Sequence, residues 1–177
     1  DGLTTLGPID LAGQDRACGA GRCCDVASRS RGLPLARAER ETSVAKQIVA
    51  VAVVVVEAGK LLALRRSKKK DAGAGLWEVV SGRVREHEEP LVAAVRETRE
   101  ETGFEIEIVK RPVDCYAAKR GDDPMIVIVY AALVIGGQFQ RSHEHDDHRW
   151  VDVAGFEALG APTRLVDAVR HATAVLP

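Results

Sequence analysis

The feature that most restricts the fold of this chain is its longest apolar run, Ile48–Val56. Its nine residues are about half of what a membrane-spanning helix requires, so the run excludes a membrane span. Because most of these residues are β-branched, we predict a buried strand over Gln47–Val56. The Glu57-Ala58-Gly59 turn then leads into Lys60–Arg66, which is expected to return as the hairpin partner of that strand.

The charge balance is that of an ordinary globular domain. The 177 residues include 25 Lys and Arg against 26 Asp and Glu, for a formal net charge of −1. This balance argues against a protein that coats nucleic acid or an acidic membrane surface, so neither is expected as a partner. No charged-then-apolar leader opens the sequence, and we expect a cytoplasmic protein. A homodimer stays open.

Residues 1–46 differ in composition from the rest of the chain. They contain no Phe, Trp or Tyr, and no apolar period runs through them. We therefore predict a flexible or poorly ordered extension over 1–46, followed by one domain over 47–177. Three cysteines in the extension, Cys18, Cys23 and Cys24, lack the spacing of a structural zinc site, and reduced thiols are expected.

Residues 47–177 alternate between strand and helix periods. We predict a helix that begins at Pro90 and ends at Gly103, because proline suits the first turn and glycine the C-terminal cap. The order of the elements indicates an α/β (α+β) fold with helices packed against a mixed sheet. The other expected elements are strands at Glu105–Tyr116, Met125–Ile135 and Trp150–Val153, and helices at Asp152–Leu159 and Thr163–Val175.

The helix from Pro90 carries three acidic residues on one flank. Glu97, Glu100 and Glu101 are spaced i, i+3, i+4, at the helix end where the dipole disfavours anions. Arg96 and Arg99 compensate part of this charge. A divalent metal bound by oxygen ligands would compensate the rest, whereas a solvated, salt-bridged helix end is the alternative. The residues expected to face the sheet are Leu91, Val95, Thr98 and Thr102.

A longer pattern surrounds these acids. From Gly82 the chain reads Gly, five residues, Glu88, seven residues, then Arg-Glu-Thr-Arg-Glu-Glu-Thr-Gly-Phe. It resembles the Nudix box, G-x5-E-x7-R-E-U-x-E-E-x-G-U with U apolar, and eight of the nine constrained positions match. Thr98 stands where an aliphatic residue is usual, and its hydroxyl can bond to the helix carbonyl four residues earlier. Family members often read Pro-Gly-Gly where this chain has Val80-Ser81-Gly82.

The resemblance implies a Nudix-type α/β/α sandwich that hydrolyses a nucleoside diphosphate linked to another moiety. Such enzymes act on small-molecule nucleotides with Mg²⁺, or alternatively Mn²⁺, which neutralises the pyrophosphate and activates a water molecule. The resemblance assigns the metal to Glu97, Glu100, Glu101 and the backbone carbonyl of Ser81. It assigns structural roles in the box to Gly82, Glu88 and Gly103, and places Arg96 beside the catalytic acids as a brace.

Further residues are assigned by their position relative to the box. Glu144, six residues before a tryptophan, lies where MutT-like members carry an extra acid that serves as base or ligand. Arg65 and Arg66 lie at a strand end that faces substrate in such proteins, with an exposed loop as the alternative. We interpret His143–His148 as a solvated loop rather than a second metal site, and Trp77 as a core residue rather than a stacking platform.

The favoured function is MutT-like hydrolysis of a nucleoside triphosphate to the monophosphate and pyrophosphate. Hydrolysis of ADP-ribose, nucleotide sugars or dinucleoside polyphosphates stays open. The alternative from another class is a Nudix-fold sensor or binding module without turnover. The three clustered acids argue against that alternative, because a pure binder does not need them.

Overall fold

Eight strands and three helices form the part of the chain that the computed structural model describes, residues 47–68 and 73–177. The predicted extension, 1–46, lies outside the described residues. The elements are β1 Ile48–Glu57, β2 Lys60–Arg66, β3 Trp77–Glu78, β4 Val80–Arg83, α1 Pro90–Thr102, β5 Phe104–Ile108, β6 Asp114–Arg120, β7 Asp123–Gly137, β8 His145–Val151, α2 Val153–Ala158 and α3 Thr163–Thr173.

Strand β1 is the centre of the sheet, as its apolar run predicts. It runs parallel to β7, from the pair Ile48 and Met125 to the pair Val56 and Leu133. Its other edge pairs antiparallel with β4 and, at the hairpin turn, with β2. Side chains along a strand point alternately to opposite faces, so β1 supplies apolar residues to two separate cores.

Helices cover both faces of this mixed sheet. On one face, α1 packs Ala93 and Ala94 against alternate valines of β1. On the other face, α3 packs Val166 and Val169, together with Phe156 of α2. The predicted α/β/α sandwich is therefore confirmed. Among the described residues, no helix has the length and apolar character needed to cross a membrane.

One predicted strand and one predicted loop were wrong, because partner strands decide where pairing starts and stops. The expected strand Glu105–Tyr116 is broken into β5 and β6, with Pro112 in the gap. Proline has no backbone N–H to give to a sheet, and the two strands pair with different parts of β7. The predicted loop at His143–His148 is also partly strand, since β8 starts at His145 and pairs with β2.

The face of α1 was predicted only in part. Thr98 and Thr102 are buried as expected, but Val95 is 41% exposed, so its expected contact with the sheet was wrong. Small alanines occupy the buried face instead and let α1 approach the sheet closely. The Thr98 hydroxyl donates to the carbonyl of Ala94 at 2.8 Å, as predicted. The buried positions of α1 are Ala93, Ala94, Thr98, Glu101 and Thr102.

An ion-pair cluster joins β6 to α3. The guanidinium of Arg164 donates to both carboxylate oxygens of Asp114, at 2.8 and 2.6 Å, and Nδ1 of His171 lies 2.9 Å from one of them. The Asp114 side chain is only 10% exposed. Its hydrogen bonds with Arg164 above all, and then with His171 and a backbone N–H, lower its pKa to about 2.

We expect Asp114→Asn to lower the free energy of unfolding by about 1–2 kcal/mol at pH 7, because the half-exposed Arg164 is partly screened by solvent. The folded-state pKa lies below the unfolded value of about 3.9, so the stabilisation is present above that value. It is lost as the pH falls through about 2. Thermal melts of both proteins at pH 7 and pH 2 measure the difference, which should shrink at the lower pH.

The matched control is Asp167→Asn, which breaks only the exposed pair with Arg170. That variant should change the free energy of unfolding by less than about 0.5 kcal/mol. A loss for Asp114→Asn that is equally large at both pH values would contradict the assigned ion pair.

Candidate active site

Arg96 connects the loop before α1 to the acidic flank of the helix. Its side chain is 15% exposed, and its Nε and Nη2 donate to the two oxygens of Glu88, both at 2.7 Å. Its Nη1 donates to Glu97 at 2.6 Å and to Glu100 at 3.2 Å, and Nη2 also reaches the carbonyl of Arg83. The hydrogen bonds from Arg96, and then from a backbone N–H, lower the pKa of Glu88 to about 2. One guanidinium therefore joins the loop before α1 to the acids of the helix.

Gly82 allows Glu97 to lie directly against β4. A Cβ atom at position 82 would overlap with the carboxyl group of Glu97, so any other residue would push that side chain away. The backbone of Gly82 does not have a positive φ, so its requirement for glycine is steric rather than conformational.

The C-terminal end of α1 is bound to the segment that carries Glu144. Gly103 ends the helix in the left-handed conformation, with φ of 72°, as its predicted capping role requires. The backbone N–H of Gln140 then donates to the carbonyl of Thr102 at 2.8 Å, and that of Ser142 to the carbonyl of Glu101 at 3.1 Å. These bonds hold the 138–144 segment against the helix end.

Glu101 is a buried acid among other acids. It is 5% exposed, and the backbone N–H of Ser81 lies 3.4 Å from its Oε2. Burial raises its pKa to about 9, and the charges of Glu78, Glu97 and Glu144 act in the same direction. Glu101 therefore holds a proton at neutral pH unless a cation offsets its neighbours.

A cleft of about 590 Å³ opens beside these acids. The acidic part of its wall is formed by Glu78, Glu97, Glu101 and Glu144, next to Ser81 and Gly82. Other parts of the wall are basic, from Arg66, Lys119 and Arg120, or carry rings and apolar groups, from Trp77, Tyr116, Met125 and Leu165. The cleft thus offers acids, cations and an apolar surface to one ligand.

The two arginines predicted to contact substrate are separated. Arg66 lines the cleft, and its Nη1 donates to both oxygens of Glu78 at 2.9 and 3.1 Å. Arg65 is not among the residues that line the cleft. Its Nε donates to Asp146 at 2.6 Å, and its Nη1 lies 3.7 Å from Asp147, so β8 neutralises its charge.

Glu100 also lies apart from the other predicted metal ligands. It is half exposed and accepts hydrogen bonds from Arg96 and from Arg85, the latter at 3.3 Å. Within residues 47–68 and 73–177, no three His, Cys, Asp or Glu side chains are grouped closely enough to hold a metal ion as they stand. Arg96 binds both Glu97 and Glu100 through one nitrogen, whereas Glu101 is buried against Ser81.

The residues nevertheless fit a divalent cation by their chemistry. Carboxylates and a backbone carbonyl are the oxygen donors that Mg²⁺ and Mn²⁺ prefer. Gly82 leaves space for Glu97 at the cleft wall, and the buried Glu101 lies among like charges that a cation would offset.

Glu78 is a site residue that the sequence analysis missed. It follows the buried Trp77, whose predicted core position is confirmed, and precedes the buried Val79. The signal available in the sequence was a charged residue between two apolar ones, because a charged group in such surroundings needs close polar partners. Lys119 and Arg120, in the β6–β7 hairpin, also line the cleft. Both are exposed, and nothing in the sequence distinguishes them from other surface charges.

Comparison with known proteins identifies the family. The sequence profile of the NUDIX domain matches residues 46–172. The chain belongs to the Nudix family. A MutT-like protein from Streptomyces ambofaciens is 31% identical over 141 residues, which cover 77% of this chain and 86% of that protein. The predicted Nudix, MutT-like relationship is confirmed, and the chain is a Nudix hydrolase.

Two other Nudix relatives extend the comparison. The CTP pyrophosphohydrolase of Escherichia coli (strain K12) is 43% identical over 60 residues, which are 34% of this chain and 44% of that protein. The match thus spans less than half of that relative. The MutT protein of Methanosarcina mazei Go1 has a solved structure with 26% identity and a TM-score of 0.62, covering 70% of this chain and 91% of that one. Nudix hydrolases generally use divalent metals and act on small nucleotides.

We expect Arg96→Lys to lower the free energy of unfolding by about 2 kcal/mol, because an ammonium cannot replace the forked contact with Glu88. Thermal denaturation measures this loss. Arg99→Lys, an exposed change on the same helix, is the matched control and should stay within about 0.5 kcal/mol. Equal stability of the two variants would contradict the role given to Arg96.

A second prediction concerns Gly82. Gly82→Ala should displace Glu97 and destabilise the protein by about 1–3 kcal/mol, because the added methyl group overlaps with the carboxyl group. Thermal melting and a crystal structure of the variant check both effects. In Gly136→Ala, the new methyl group would come no closer than 3.2 Å to its neighbours, and that nearest atom is a carboxylate oxygen of Glu105, so this control should melt close to the wild type.

Proposed function

We propose that the chain hydrolyses a nucleoside triphosphate to the monophosphate and pyrophosphate, with a divalent metal ion as cofactor. The observation that carries this proposal is the gathering of Glu78, Glu97, Glu101 and Glu144 around one cleft. Four acids alone would repel a polyphosphate, and they would also destabilise one another. Divalent metal ions held by these acids would offset both effects, which supports a substrate that arrives with Mg²⁺.

The metal would be held by Glu97, Glu100, Glu101 and the carbonyl of Ser81. When bound, it would supply charge neutralisation of the phosphates and a more acidic water molecule. Glu144 is our candidate for accepting the proton of the attacking water, because it lines the cleft and its charge acts on Glu101.

The remaining residues hold or position these groups. Arg96 and Glu88 keep the loop and α1 in a fixed relation, so that Glu97 stays at the cleft wall. Arg66, Lys119 and Arg120 are candidates for contacts with the phosphates, since all three line the cleft.

A nucleoside triphosphate is favoured by the cleft and by the relatives. Tyr116, Met125 and Leu165 form an apolar part of the wall, which suits a nucleobase, whereas the charged residues suit the phosphates. A volume of about 590 Å³ lies within the range for a ligand of nucleotide size. A triphosphate substrate is also supported by the partial match to a protein named CTP pyrophosphohydrolase.

The test is turnover of a substrate panel with and without Mg²⁺. The panel contains the canonical and oxidised nucleoside triphosphates, ADP-ribose, nucleotide sugars and dinucleoside polyphosphates. We expect a triphosphate to be hydrolysed fastest, and EDTA to abolish the reaction until Mg²⁺ is restored. Mass spectrometry of products formed in ¹⁸O water identifies the phosphorus that is attacked.

Glu97→Gln should lower kcat at least 100-fold, because the amide removes a charged ligand at the cleft wall. Glu105→Gln, an exposed change on β5, is the matched control and should keep wild-type turnover. Faster hydrolysis of ADP-ribose or a nucleotide sugar would contradict the triphosphate proposal. Ligand-induced stabilisation without any turnover would favour the sensor alternative.

A further inference from the structure

His145 is a buried histidine to which the proposed reaction gives no role. Its side chain is 1% exposed, and it begins β8, opposite Arg66 of β2. Its Nε2 lies 3.1 Å from Oε1 of Glu78, and its Nδ1 lies 3.3 Å from the hydroxyl of Ser142. Both ring nitrogens therefore have a polar partner, and one of these partners lines the cleft.

The direction of these hydrogen bonds follows from what each group can donate. An ionised Glu78 only accepts, so Nε2 of His145 carries the proton between them. The hydroxyl of Ser142 accepts the backbone N–H of Glu144 at 3.3 Å and keeps its own hydrogen, which it can donate to Nδ1. The tautomer with its hydrogen on Nε2 therefore satisfies every one of these contacts, here called the Ser142–His145–Glu78 relay.

The relay ends at the carboxylate of Glu78, which accepts hydrogen bonds from three side chains. Glu78 accepts from His145, from Nη1 of Arg66 and, at 3.2 Å, from the hydroxyl of Ser81. The backbone N–H of the same Ser81 faces Glu101. The orientation of Glu78 is therefore fixed directly beside the buried acid of the cleft.

The other end of the relay lies at the segment that carries Glu144. Ser142 is bonded to the end of α1 through its backbone and to the N–H of Glu144 through its side chain. His145 thus connects two acids of the cleft that come from distant parts of the chain.

We propose that His145 is a positioning residue, which holds the carboxylate of Glu78 beside Glu101 in the geometry that turnover requires. The proposal rests on the proposed hydrolysis, and it adds Glu78 to the acids on which that reaction depends. Loss of the imidazole would leave Glu78 with only its partners Arg66 and Ser81 among the described residues, and it would loosen the segment around Glu144.

The test compares variants of His145 with the best triphosphate of the panel and Mg²⁺. We expect His145→Leu to lower kcat at least tenfold with KM within threefold of the wild type. His145→Gln, whose amide can still donate to Glu78, should recover kcat to within threefold of the wild type. His148→Leu is the matched control on the same strand and should keep wild-type kcat, since that ring stacks on Phe139 outside the cleft.

A double-variant cycle shows whether His145 acts through Glu78. If it does, Glu78→Gln combined with His145→Leu should be no more than twofold slower than the worse single variant. Losses that multiply, or a His145→Leu protein with wild-type kcat, would overturn the proposal. Thermal melting of each variant identifies any that fails to fold.

A measurement on the metal-free wild type does not depend on activity. Long-range ¹H–¹⁵N correlation spectra of the imidazole should show the tautomer protonated at Nε2, and Glu78→Gln should shift that nitrogen. A tautomer protonated at Nδ1 would overturn the relay. Absence of triphosphate turnover in the wild type would instead overturn the proposed function itself, so the two failures are distinguishable.

Discussion

The forked ion pair between Arg96 and Glu88 is the interaction on which the site depends. The chain places several acids within one short helix and the loop before it, and this crowding opposes folding. One guanidinium offsets much of that cost, because it binds Glu88, Glu97 and Glu100 at once. It also fixes the loop against α1, and it thereby sets the positions of Glu97 and Glu100 relative to Glu88.

The second constraint is the burial of Glu101 on the face of α1 that packs against the sheet. Alanines and threonines share that face and allow the helix to approach β4 closely, which brings Glu101 to the N–H of Ser81. A well-packed hydrophobic residue at this position would make a more stable helix. The burial of Glu101 is therefore not explained by helix stability.

The sequence predicted features that are encoded locally. The run of β1, its hairpin with β2, and the bounds of α1 follow from β-branched residues, Pro90 and Gly103. Features that depend on distant partners were missed: the break at Pro112 and the start of β8 at His145. The different surroundings of Arg65, paired with Asp146, and Arg66, paired with Glu78, also depend on distant partners. The box identified the acids on α1, whereas Glu78 lies outside the box and lines the cleft through contacts with residues distant in sequence, such as His145.

The parallel pairing of β1 with β7 has a consequence for the way the chain reaches its native state. The valines of β1 find their longest partner strand only after most of the domain has been synthesised. Until then the most apolar segment of the described chain can pair only with the short stretches of β2 and β4, which makes it a site for association between nascent chains. Because pairing over such a long sequence separation is slow, the rate of folding, rather than the final stability, determines how long this segment is exposed.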